Sequence, residues 1–195
     1  MSIALRRRAG TTTSGWPGRK RWLILAVVVT LLACFGVATA TLLVSPRQGM
    51  PARVDAIIML NGPGGSSRLT TALDLAWAHR APTVVISRGS QVYGFGGDCA
   101  PAIPGVRVIC FVPSPPTTQG EAEFAGRLAS RYHWKTVVLV TITPQITPGR
   151  IWLNRCMPGV TVYAVAAPLS ARGWPVMVAY EWGAIANAEL IHRSC

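Results

Sequence analysis

Three arginines and one glutamate stand where their neighbours in sequence suit chemistry on a charged ligand. Arg68 closes LNGPGGSSR (60–68), Arg88 follows the apolar run TVVIS (83–87), and Arg150 ends TITPQITPGR (141–150). Each falls where an apolar run gives way to a turn. Arg68 and Arg150 also fall in the first turn of a predicted helix, where a cation opposes the helix dipole. An anionic ligand would account for them. The competing reading is solvated surface arginines, since ten other basic residues lie beyond position 45.

The loop before Arg68 has phosphate-loop chemistry without a phosphate-loop signature. Gly62, Gly64 and Gly65 let backbone N–H groups approach a ligand, and Ser66 or Ser67 can cap a helix whose N-terminus favours anions. No Gly-Lys-Ser/Thr is present, so this is not a nucleotide-triphosphate loop. A dinucleotide fingerprint fails too, because Ser67 stands where a third Gly or Ala belongs and Ser87-Arg88 stands where an acid should follow the next strand. A ligand-free strand-to-helix turn remains the alternative.

TTQGEA (117–122) reads as a capping box, Thr118-x-x-Glu121, at the start of a helix. Glu121 is also the one carboxylate this pattern places near the three arginines, which makes it the candidate general base or ligand-orienting group. Glu181 and Trp182, in AYEWG, are further candidates: Glu181 as a first-turn acid or a site residue, Trp182 as core. His79, His133 and His192 each end a predicted helix, where a cation complements the dipole. That placement puts them at the opposite edge from the arginines. With no Gly-x-Ser-x-Gly there is no serine-hydrolase elbow, and with no CxxC, HExxH or Asp-x-Asp no metal site is predicted. No cofactor is legible.

The elements that must position these residues alternate. Val54–Leu60, Thr83–Ser87, Val106–Phe111, Thr136–Thr141 and Val160–Val165 are short apolar runs suited to strands covered on both faces. Helical spacing fills 67–80, 118–133, 147–156 and about 175–192. Strands alternating with helices predict an α/β fold, a Rossmann-like three-layer domain with a mostly parallel sheet. Ligands of such sheets bind outside the carboxyl ends of the strands, the edge to which 61–68, 88–97 and 142–150 are assigned.

The first 50 residues differ in kind. Arg6, Arg7, Arg8, Arg19, Lys20 and Arg21 precede Trp22–Val44, which carries no charge. As a helix this run would cover about 34 Å, enough for a hydrocarbon core of about 30 Å. The organisation predicted is a cytoplasmic basic segment (1–21), a transmembrane signal anchor (22–44), a linker (45–53) and an extracytoplasmic domain (54–195), a single-pass cell-membrane protein with its N-terminus inside. Cleavage after Ala38-Thr39-Ala40 is the alternative; a buried core helix would need a polar face this run lacks. The formal charge of +12 does not point to nucleic acid. Six of the 19 basic residues form the N-terminal flank, leaving 13 against seven acidic ones, scattered and not interleaved with aromatics. Cys34 lies in the apolar run; Cys99, Cys110, Cys156 and Cys195 form an even set beyond it. On an oxidising side these would pair, Cys99 with Cys110 and Cys156 with Cys195 being favoured over free thiols.

Five motifs in order, VDAIIMLNG with its glycine-rich loop and Arg68, APTVVISRGS, TTQGEA, LVTITPQITPGR and AYEWG, resemble the YdcF/SanA/ElyC-like envelope family (domain of unknown function 218), particularly its signal-anchored actinobacterial type. The resemblance spans about 52–193. It implies a Rossmann-like domain facing the cell envelope, linked to cell-wall integrity, with Gly62, Arg68, Thr118 and Glu121 at motif positions. Departures exist: Arg88 interrupts a usual Ser-Gly-Gly, Gln145 replaces a common His, and Pro148 replaces a common Arg. Gln145 can still hydrogen-bond a ligand. The reading preferred from sequence is thus a membrane-anchored site for an anionic metabolite, nucleotide-like or lipid-linked, with Arg68 and Arg150 as charge partners. An enzyme acting on a cell-wall precursor with Glu121 as base is the rival; a non-catalytic envelope protein is the third reading.

Overall fold

The computed structural model describes residues 17–62, 65–88 and 99–195. Helix α1 (Pro17–Thr39) continues through a π-helical turn, Ala40–Val44. Together they contain one segment long and apolar enough to cross a membrane, Lys20–Val44, with mean hydropathy 2.6.

From Ala38 onward the chain forms one compact unit. Its centre is a five-stranded sheet of β1 (Ala56–Met59), β2 (Thr83–Ser87), β3 (Arg107–Phe111), β4 (Thr136–Ile142) and β5 (Thr161–Ala167). All neighbours are parallel, in the order β3-β2-β1-β4-β5. The continuous apolar runs follow from this, since both faces are covered. Ala56, Ile58 and Leu60 pack with Val137 and Leu139 against α3 (Thr118–Tyr132) and α4 (Ile146–Cys156). Ile57, Met59, Val138 and Val140 face the other way, onto Leu69, Ala72 and Ala76 of α2 (Gly65–Trp77). The three-layer α/β fold expected from the alternation is therefore present. A last helix, α5 (Trp174–Ala186), runs into a π-helical turn, Asn187–Ile191, which Arg155 of α4 holds through a 2.9 Å ion pair to Glu189.

Both favoured disulfides, Cys99–Cys110 and Cys156–Cys195, are formed, and Cys34 is free. The first ties the chain ahead of β3 to the strand itself; the second pins the C-terminus to the end of α4.

Residues 45–53 do more than link. Gly49 bridges to Ala164 at the open edge of β5, Gln48 accepts from Ala166 N, and Pro51 O accepts from Arg80. Leu43 is fully buried, and Thr147 donates to Leu42 O. An edge strand leaves a row of unpaired backbone groups. The chain leaving the apolar helix covers part of that row.

Candidate functional site

Strand order reverses between β1 and β4, and at that switch point an open parallel sheet leaves a crevice beyond its carboxyl ends. A cavity of about 390 Å³ lies there. Asn61 and Gly62 from the β1–α2 loop line it, with Thr117, Thr118 and Glu121 at the start of α3, Gln145 after β4, and Tyr180 and Glu181 from α5.

Behind its wall lies Arg68, with none of its surface exposed. Its guanidinium turns back over the loop it closes, donating to Leu60 O (3.1 Å), Asn61 O (2.7 Å) and Gln145 Oε1 (2.6 Å). Gly62 makes room for this. Its φ of +137° suits glycine, and a Cβ there would meet the two terminal guanidinium nitrogens at 3.1 Å. In a phosphate loop the N–H groups face a ligand; here the loop carbonyls face the protein's own arginine. Gly62 therefore serves Arg68, and Arg68 does not line the cavity. Gly65 opens α2, whereas Gly64 lies outside the described residues. Ser67, expected at a ligand, donates to Pro168 O at 2.9 Å and ties α2 to the chain after β5.

Arg88 and Arg150 are not brought to the cavity. Arg88 extends the β2–β3 ladder by donating its backbone N–H to Phe111 O, and the segment 89–98 that follows lies outside the described residues. Arg150 donates to Arg47 O at 2.6 Å, and burial lowers its pKa. Its place near a helix N-terminus is explained by the chain that descends from the apolar helix, a partner remote in sequence.

The capping box is not formed. Thr117 is the N-cap of α3 and accepts from Gly120 N at 3.2 Å, which leaves Thr118 one residue inside the helix and on the cavity wall. Gly120 stands at the third helical position, where the box would need Glu, and a Cβ there would collide with the Pro115 carbonyl. Glu121 is thereby released to point elsewhere. It accepts the Asn61 N–H at 2.7 Å, across the top of β1, and is 3% exposed. Burial pushes its pKa up to about 7 against the Ser87 hydroxyl, the Asn61 N–H and Arg68. Of the three influences that oppose burial, the Ser87 hydroxyl, itself buried, is the largest, followed by the Asn61 N–H and Arg68.

Glu181 is the second buried carboxyl. α5 starts at Trp174, so Glu181 sits in its middle and not in a first turn. It is 2% exposed, and burial raises its pKa to about 7 against the field of Arg68. Trp182, expected as core, is partly buried and donates to Thr39 Oγ1 at 3.1 Å. Gln145 completes the set: its Oε1 accepts from Arg68 and from Thr141 Oγ1 (2.5 Å), so its amide nitrogen is the group left to donate at the cavity.

Two carboxyls raised to the neutral range thus share one guanidinium. One buried positive charge balances one carboxylate, and ionising the second leaves an uncompensated buried charge. Two carboxyls so raised on one cavity are the kind of pair from which a general base and a general acid can be drawn. No group of three His, Cys, Asp or Glu among the described residues could hold a metal ion.

The histidines divide. His79 and His133 take left-handed conformations (φ 50° and 55°) at the amino edge, and His133 caps α3. His192, expected at that edge too, lines a second cavity of about 690 Å³ with Trp152, Tyr180 and Asn187, which shares Thr117 and Thr118 with the first. Among the described residues α5 is followed by the turn Asn187–Ile191 and not by a strand, and His192 stands beside that turn.

Sequence reasoning missed Asn61, Thr117, Thr141 and Tyr180 as members. Asn61 had one legible signal: it is the first polar residue after the most buried strand. No family model matches this chain, and no curated protein or solved structure matches it either.

Proposed function

We propose that this is a membrane-tethered, extracytoplasmic enzyme of the cell envelope, YdcF-like in its motif order, acting on an anionic, phosphate-bearing precursor. The observation that carries the reading is the convergence of Glu121 and Glu181 on one cavity, both with pKa raised to about 7, with Arg68 behind them. Perturbed carboxyls in a cleft at the switch point of a parallel sheet mark acid–base sites. In this reading the ionised Glu121, held by the Asn61 N–H, takes a proton from the attacking group. Protonated Glu181 returns one to the leaving group of a hydrolysis or transfer. The N-terminus of α3 at Thr117 and Thr118, the Gln145 amide and the neutral carboxyl supply donors for the anion. The tether is the Lys20–Val44 helix with its basic flank inside, and the two disulfides fit an oxidising exterior.

A binding protein without turnover is the second reading, favoured by the Asn61–Glu121 hydrogen bond, which is the geometry an orienting residue needs. Thermal shift of the full chain in detergent, over a panel of phosphate-bearing envelope metabolites, tests both. A ligand at 100 times its Kd adds about 2.7 kcal/mol. Turnover with a bell-shaped profile near neutral pH, lost in Glu121→Gln while the thermal shift persists, supports the enzyme. A shift with no turnover in the unmodified chain leaves the binder. No shift with any member of the panel removes both.

A further inference from the structure

Helix α5 is built unlike the other helices of the domain. Of its 13 residues, WPVMVAYEWGAIA, one is charged, and that one, Glu181, is buried toward the cavity. The remaining apolar surface is not all used for packing. Val176 is 66% exposed and Tyr180 64%, and the same face continues into Leu190 and Ile191 at 70% and 71%. Exposed apolar side chains gathered on one helix and the turn after it, on a folded domain, mark an interaction surface.

Its position relative to the chain identifies the occupant. The apolar segment Lys20–Val44 ends against this helix: Thr39 Oγ1 accepts from Trp182, and the π-helical turn Ala40–Val44 packs on α5 and on the start of α4 through buried Leu43. Residues 39–44, the end of that segment, thus lie against α5 within one compact unit. Trp182 and Tyr180 are residue types that favour the headgroup region, and exposed Arg47 and Arg172 add positive charge in the segments that lead into the patch.

We propose that α5 and the turn Asn187–Ile191 lie in the interfacial layer of the bilayer that Lys20–Val44 enters, seated by the face that carries Val176, Tyr180 and Leu190. The cavity, whose rim includes Met177 and Tyr180, then opens at headgroup level, and a ligand reaches it from the lipid surface. The inference rests on the tether being in a bilayer, and it is independent of any chemistry at Glu121 or Glu181.

The test uses the full chain with Cys34→Ala, reconstituted into vesicles of phosphatidylcholine and phosphatidylglycerol, with a polarity-sensitive fluorophore on one introduced cysteine. Val176→Cys and Gly183→Cys report on the exposed face, the latter with nothing within 4 Å of the new Cβ, and exposed Ala78→Cys at the far end of α2 is the reference. The expected result is a blue-shifted emission at 176 and 183 that headgroup-level nitroxide lipids quench, with no shift and no quenching at 78. Vesicles that carry the protein through a flotation gradient but leave 176 and 183 as unquenched as 78 overturn the seating of α5 alone. A protein that fails to float overturns the tether as well. Sedimentation of the same samples identifies a second copy as the occupant if the probes shift without lipid quenching, which also overturns the proposal.

Discussion

The two ends of β1 each meet one acidic side chain that accepts backbone N–H groups, yet they behave oppositely. At the amino end Asp55 takes Lys135 N (2.7 Å), Thr136 N (2.8 Å) and Thr136 Oγ1 (3.1 Å). Burial there pulls its pKa upward, but the donors from Lys135 and Thr136 together outweigh it and the net shift is downward. At the carboxyl end Glu121 has one backbone donor, Asn61, and is almost wholly buried, so desolvation wins. The first carboxylate is a clamp that joins β1 to β4. The second is held poised between charged and neutral, a state that costs stability and suits proton transfer.

The largest break in this contrast is expected at Arg68, the cation that makes the carboxyl end tolerable. Arg68→Met leaves two buried carboxyls and three acceptors without their donor, and is expected to destabilise the domain by about 3–5 kcal/mol. Denaturant unfolding measures it, and a loss under about 1 kcal/mol would remove Arg68 as the organising charge. Next comes Asp55→Ala, which frees two backbone donors at the other end, with an expected cost of about 2 kcal/mol by the same measurement.

The pH dependence should differ in sign at the two ends. The Asp55 contribution is present above its unfolded value of 3.8 and is lost as pH falls through its lowered folded value. Glu121 runs the other way. Its folded pKa of about 7 exceeds the unfolded value of 4.5, so its contribution is full below 4.5 and is lost as pH rises through 7. Melting temperature should therefore decline from about pH 5 to about pH 8, and Glu121→Gln should flatten that decline in part, with Glu181 supplying the remainder. A profile unchanged by the substitution would place Glu121 in water. The smallest effect sharpens which threonine caps α3: Thr117→Ala is expected to cost about 1 kcal/mol, and Thr118→Ala under about half of that.

Strands, helices and the edge that carries the cavity were legible because a parallel sheet buried on both faces demands continuous apolar runs, and VDAIIML, TVVIS and TVVLVT meet that demand by themselves. Cysteine pairing was legible for a similar reason, since an even set of four beyond the apolar run allows only three pairings. The arginines were not. Arg68, Arg88 and Arg150 look equivalent in sequence, and local rules about helix dipoles treat two of them alike. Only packing separates them: one is swallowed by its own loop, one continues the β2–β3 ladder through its backbone, and one binds chain that arrives from the apolar helix.

Glu121 shows the same limit from the other side. The spacing Thr-x-x-Glu fits a cap, and no local rule says that the helix begins one residue earlier, with glycine at the position the cap would use because the Pro115 carbonyl lies against it. Glu181 joins it from 60 positions along the chain. By itself the sequence determined the layered sheet, the edge at which the cavity lies, the four cysteines free to pair and the presence of one apolar segment. Tertiary structure alone decided which charged groups meet at that edge, because a buried charge takes its meaning from the donors and the dielectric around it, and those come from elements distant in the chain.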